Sequence, residues 1–195
     1  MMKDNINEGK LDSVTRQIVR DIITIYRTNK TGEFGLPEDL NSNLHAYEFK
    51  QLQNPIQVFL EIEDDENVEG FDADADYYRD EDLIHVTIVS NPKFHTSVIY
   101  DLIGELNELI AHELEHVKQH ESGYEFPKRE PKKPLKYYTQ QHELDAQRKG
   151  FKRRSKIAKN DYESLVRRWF EENKHKHNLS PNEAEKVIQK ILSEK

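Results

Sequence analysis

Residues 109–120 read LIAHELEHVKQH, a helix-periodic run holding three histidines and two glutamates. His112 and His116 are four apart, so on a helix they share one face and can aim both imidazoles at one ion. Glu113 follows about 100° round the helix from His112, within reach of a water on that ion. The chemistry this spacing points to is hydrolysis by a metal-activated water, with Glu113 as general base. The rival reading is a surface helix with ordinary histidines. Against it, Glu113 lies on the same side as Leu102, Leu106 and Leu109, where a carboxylate is costly without a partner or a task.

A catalytic zinc takes three protein ligands and keeps one position open. The chain has no cysteine, so a third ligand must be His, Asp or Glu. His120 continues the i, i+4 series, but His112 to His120 spans about 12 Å of helix rise, too far for one ion. The metzincin pattern needs a histidine six residues after the second one, following a glycine. That position is Ser122, and no glycine intervenes. What remains is the stretch His142-Glu143-Leu144-Asp145-Ala146-Gln147, with three candidates.

These residues need elements to carry them. Val14, Ile18, Ile22 and Ile25 recur at helical spacing, predicting a helix over 11–26, followed by a turn in TNKTGEFGLPEDL. IQVFLEI at 56–62 alternates as a strand with one buried face, and GFDADADYYR at 70–79 alternates as strictly. Asp72, Asp74 and Asp76 resemble the opening of a calcium loop. The sixth position is Tyr77 instead of Gly and the twelfth is Leu83 instead of Glu, so a solvated strand face is expected. LIHVTIVS at 83–90, apolar on both faces, reads as the interior strand. The period then turns helical from Val98 to His120, closed by Glu121, Ser122 and Gly123. The segment Tyr124 to Tyr138, with three prolines, reads as irregular. Thr139 is the expected cap of a helix reaching Lys159, with further helices over 162–172 and after the Ser180–Glu183 capping box. One helix, about three strands, then helices make an α+β arrangement.

An HExxH helix followed by a helix bearing E-x-x-A resembles a gluzincin, a zincin metallopeptidase whose third ligand is glutamate. Here the elements are HELEH and Glu143-Leu144-Asp145-Ala146, and the match covers roughly residues 83–151. The resemblance implies one Zn2+ held by His112, His116 and Glu143, with Glu113 as base. It also implies a small mixed β-sheet packed on the active-site helix, its edge strand pairing with a peptide substrate. Many relatives carry Asp or Asn where Gln147 stands, which leaves the support of the ligands to be found. The whole chain looks similar to small metallopeptidases of tailed phages.

Helix geometry ranks the candidates the same way. Residues 143, 146, 147 and 150 share a face that Ala146 and Gly150 keep small, so two helices can approach closely there. Asp145 lies about 160° away from Glu143, and His142 sits on a flank. His142 as third ligand would suit SprT-like proteases that act on nucleic acid, although its spacing is long for that family. Tyr124, Tyr137 and Tyr138 flank the site, each a candidate oxyanion donor or an ordinary packed tyrosine.

The 195 residues fit one domain over 1–195, with a helical C-terminal extension from about 160. No apolar stretch suits a secretory leader or a bilayer span, so a cytoplasmic location, bacterial or in an infected host, or a virion-associated one is expected. The net charge of −8 is segregated: 61–82 holds twelve acids and one Arg, 128–159 twelve bases and three acids. This predicts either a polyanion partner for 128–159 or an attraction between the two segments within one domain. The competing function class is a non-catalytic virion, scaffold or interaction protein that keeps the fold around a metal.

Overall fold

The computed structural model describes residues 8–31, 44–48, 52–93, 98–127 and 133–193. The architecture is α+β, a four-stranded mixed sheet with a long N-terminal helix and a series of C-terminal helices. Helix α1 (Glu8–Thr31) is longer at both ends than the periodicity predicts. It takes in the first residues of the expected turn, whose remainder lies outside the described residues. Strands β1 (Leu44–Tyr47), β2 (Ile56–Asp64), β3 (Phe71–Tyr78) and β4 (Leu83–Ser90) stand in the order β1-β2-β4-β3. The pair β2–β4 is parallel, and both outer pairs are antiparallel. The apolar β4 is interior, as its two-sided hydrophobicity predicts. The short β1, interrupted by polar residues, was not foreseen.

The inward residues of the sheet, among them Val58, Leu60, Ile84 and Val86, meet Ile18 and Ile22 of α1 and Leu106 and Ile110 of α2 (Ile99–Glu121) in one core. Each of these side chains, fully buried, contributes about 1.5–3 kcal/mol. Helix α2 ends where the sequence says it should. Gly123 takes φ +81°, Tyr124 N–H bonds Gln119 O, and Gly123 N–H bonds His120 O, the pairing of a Schellman cap.

One edge of the sheet is β3. Gly70 O accepts from Asn91 N–H at 2.9 Å, and the register pairs Phe71 with Ser90. In an antiparallel ladder the bonded positions alternate. Asp72, Asp74 and Asp76 therefore bond to β4 through their backbone, while the backbone groups of Ala73, Ala75 and Tyr77 point away from the sheet. The three aspartate side chains are exposed, as the solvated-face reading expects.

The proline-rich segment is not wholly irregular. Pro134–Tyr138 forms a short helix, α3, with its proline in the first turn, where a missing N–H costs nothing. Thr139 closes α3, its Oγ1 donating to Leu135 O, and the N-cap of α4 (Gln141–Ala158) is Gln140. Helices α5 (Tyr162–Glu172), α6 (Lys174–His177) and α7 (Pro181–Ser193) follow. They gather a second apolar cluster, Val166, Phe170, Val187 and Ile191, on the far side of Phe151. Half of the capping box forms: Glu183 Oε2 accepts from Ser180 N–H at 3.0 Å, while Ser180 Oγ donates to the same carboxylate at 2.6 Å.

Among the described residues, three cations of the basic segment pair with acids outside the acidic run. Arg153 and Lys156 reach Asp12 of α1, and Arg154 reaches Glu105 and Glu108 of α2. Residues 128–132 lie outside the described residues.

Candidate metal centre

Helices α2 and α4 lie so close that a Cβ on Gly150 would stand 2.8 Å from the Glu108 carbonyl oxygen. Beside it Ala146 is fully buried. The small face read from the sequence thus lets the second helix lean on the HExxH face. It brings Glu143 between the two histidines.

His112 Nε2 and His116 Nε2 are 3.1 Å apart. Glu143 Oε1 is 3.7 Å from the first and its Oε2 3.5 Å from the second. Ligands about 2.0–2.1 Å from a tetrahedral ion are separated by about 3.3 Å. The two nitrogens already stand near that spacing, and one donor atom from each of the three residues lies within 4.8 Å of the others, close enough to gather round one ion. Among the described residues, His112, His116 and Glu143 form the group of His, Asp and Glu side chains able to hold a metal. Glu143 Oε2 is buried and makes no hydrogen bond, an orphan that an ion would satisfy.

Supporting contacts fix the donors. Gln119 Nε2 donates to His142 O at 3.0 Å, which turns its Oε1 to His116 Nδ1 at 2.8 Å. His116 Nδ1–H therefore donates to the amide oxygen, which leaves Nε2 as the nitrogen facing the cluster, able to ligate once it gives up its proton. Gln119 was not singled out from the sequence. The available signal is its i+3 spacing from His116, which puts both on one helix face. Gln147 Nε2 donates to Glu143 Oε1 at 3.2 Å, so the residue that departs from the gluzincin pattern still holds the carboxylate. Because α4 starts at Gln141, Glu143 sits in its first turn instead of the second, where the helix's positive end favours a carboxylate.

Burial and neighbours set the charges. Burial pushes Glu113 up to about 8, with the Asp76 and Glu143 carboxylates adding to it, while His116 and the nearby Tyr77 N–H oppose. Burial drives His112 down to about 4 against the pull of Glu143. Burial would lower His116 too, but its contacts with Glu143 and Glu113 raise it to about 9. Burial would raise Glu143, yet the charge of His112 and polar contacts with His116 and Tyr137 bring it down to about 2.

The other candidates are elsewhere. Asp145 is bonded to Gln141 and Arg148, away from the cluster. His120 Nδ1 meets Tyr77 Oη at 2.9 Å, at the sheet edge. His142 is buried beside the site with its Nδ1 3.2 Å from Tyr124 Oη, and it is not part of the three-atom group. Glu113 Oε1 lies 3.8 Å from His112 Nε2, adjacent to the ligand atoms.

The site opens into a cleft of about 710 Å³. One wall is the β3 edge with Asp74, Asp76 and Tyr77. Phe126, Tyr137 and His142 line the other, and Trp169 and Lys176 close an end.

No family model matches this chain. Neither curated proteins nor solved structures give a significant match. Its function must be argued from the site.

Proposed function

We propose that the protein is a zinc-dependent metallopeptidase, with His112, His116 and Glu143 holding one Zn2+ and Glu113 acting as general base. The observation that carries the reading is the place of Glu113. It is a buried carboxylate in the cleft, next to the ligand atoms, and no lysine or arginine pairs with it among the described residues. Two nitrogens and one oxygen with an open side are a donor set suited to catalytic zinc. Zinc bound there would supply Lewis acidity, polarising a carbonyl and lowering the pKa of a water.

The chain's own groups do the rest. Gln119 and Gln147 hold the donors, and the wall of β3 presents backbone to an extended peptide. Glu113 takes the proton of the attacking water as the new C–O bond forms, then delivers it to the departing amine nitrogen as the C–N bond breaks. The carboxylate lies beside Tyr77 N–H, at the level of the strand edge.

Metal content of the purified protein, followed by casein hydrolysis with and without added zinc, tests the reading. Glu113→Gln should keep the metal and lower hydrolysis by at least about 100-fold, because an amide takes no proton. Loss of zinc together with activity would give Glu113 a structural task. A wild type that binds zinc and cleaves nothing would favour a non-catalytic metal protein.

A further inference from the structure

The outward backbone groups of β3 are partly taken. The Glu113 carboxylate lies against the Tyr77 N–H, and Ala75 N–H bonds the exposed side chain of its own neighbour, Asp74, at 3.0 Å. The Asp74 partner is local and an incoming peptide can exchange it, while Glu113 keeps its place beside Tyr77. The Ala73 carbonyl is different. It accepts from Lys176 Nζ at 3.0 Å, and Lys176 comes from α6, a hundred residues further along the chain. The ammonium is anchored a second time by Asp72 Oδ1 at 2.6 Å. The lysine side chain is only 21% exposed, and Trp169 of α5 lines the same end of the cleft.

We propose that Lys176 is a specificity-determining stop, which ends the peptide-binding edge at Ala73 and so limits how many substrate residues beyond the scissile bond are held. This rests on the metallopeptidase reading above. A peptide adding antiparallel to β3 runs from the Tyr77 end towards the Ala73 end, so its leaving-group side points at Lys176. Glu113 at Tyr77 marks the level of the reacting carbonyl. From Tyr77 to Ala75 is two strand residues, about 7 Å. The second residue past the scissile bond can therefore pair with the edge at Ala75, and the fourth would fall at Ala73. Those further on meet an acceptor already taken, with the indole and the ammonium in their way.

The neighbourhood keeps the stop in place. Asp72 and Asp74 on β3 and Glu105 on α2 all face the same cation, whose charge opposes the rise that burial imposes on Asp74 and Glu105. A neutral side chain at 176 would leave the Ala73 carbonyl open and the end of the cleft unfilled.

The test uses the zinc-loaded full chain. Casein cleavage sites are mapped by mass spectrometry, and a ladder of peptides around the most used site is lengthened one residue at a time on the leaving side. For the wild type, kcat/KM should rise to about two residues and then stay flat. For Lys176→Ala it should keep rising over the third and fourth residues, about threefold to tenfold in all, the yield of one or two backbone hydrogen bonds. The gain should fall in KM with kcat unchanged, and Lys176→Arg should restore the plateau. A plateau at the same length in Lys176→Ala, or a wild type that already gains from third and fourth residues, overturns the stop and leaves the metallopeptidase reading intact. Casein left uncut by the zinc-loaded wild type removes both.

Discussion

The interface between α2 and α4 buries acids along its length, but its two halves treat them differently. In the half around Gly150, Glu108 faces a guanidinium, with Arg154 Nη1 2.8 Å from its Oε2. Arg153 Nε likewise donates to Asn107 Oδ1 at 3.1 Å. In the half around Glu143, two buried carboxylates face two imidazoles, and among the described residues no lysine or arginine pairs with either. The physical demand is the same in both halves, since a buried charge must be compensated. The first half carries a permanent cation in its own sequence. The second balances its buried charge with a titrating ring alone, since its contacts hold His116 protonated opposite Glu143 while burial holds Glu113 and His112 mainly neutral near pH 7. A proton on a ring can give way to an external cation as a guanidinium cannot, so this half could hold a metal.

The largest effect should come from the half around Glu143. Glu143→Ala should lower zinc affinity by more than about 100-fold, exceeding the loss typical of a supporting contact, when read by competition with a chromophoric chelator at neutral pH. Asp145→Ala and His120→Ala should leave it nearly unchanged. If His142→Ala empties the site while Glu143→Ala does not, the ligand set is three histidines and the contrast between the halves fails.

Gly150→Ala probes the contact that both halves share. Helix propensity alone favours alanine by about 1 kcal/mol. A Cβ 2.8 Å from a backbone oxygen forces the helices apart, however, and overpacking of this kind costs about 1–3 kcal/mol. Chemical denaturation should show a net loss, with weaker zinc binding. A stabilised variant with unchanged affinity would mean that the close approach does not set the site.

The smallest effect concerns the self-compensated half. Burial pushes Glu108 up to about 7, although Arg154 pulls the other way. A carboxyl raised from 4.5 binds more protons folded than unfolded over this window, so its ionisation removes stability as pH rises from about 4.5 to 7. Glu108→Gln does not ionise. Its stability relative to the wild type should improve across that window by on the order of 1 kcal/mol, with most of the change complete by pH 7. A stability difference that stays constant with pH would show that Arg154 compensates the charge fully.

Much of this was legible from residue spacing. His112, Glu113 and His116 announce themselves, and Ala146 with Gly150 tells where a second helix can lean. The strands at 56–62 and 83–90 follow from alternation and β-branched residues. What escaped is what depends on partners far away in sequence. The short β1 is a strand only because β2 offers it a ladder. Pro134–Tyr138 is helical because its proline falls in the first turn, which shifts the start of α4 from Thr139 to Gln141. Arg153 and Arg154 pair with α1 and α2 instead of the acidic run, because helix packing decides which opposite charges meet. Gln119 and Lys176 look like ordinary surface polar residues until the fold gives each a carbonyl to hold.

The glycine contact has a mechanical side as well. Gly150 lies seven residues along α4 from Glu143, about 10.5 Å at 1.5 Å per residue. It acts as the fulcrum of a rigid lever whose short arm rests on the Glu108 carbonyl and whose long arm carries a carboxylate oxygen. A tilt of about 5° at the fulcrum swings that oxygen by about 1 Å over such an arm. Catalytic constellations tolerate roughly half that displacement. The missing side chain of one residue, two helical turns from Glu143, thus sets the calibration of the donor triangle.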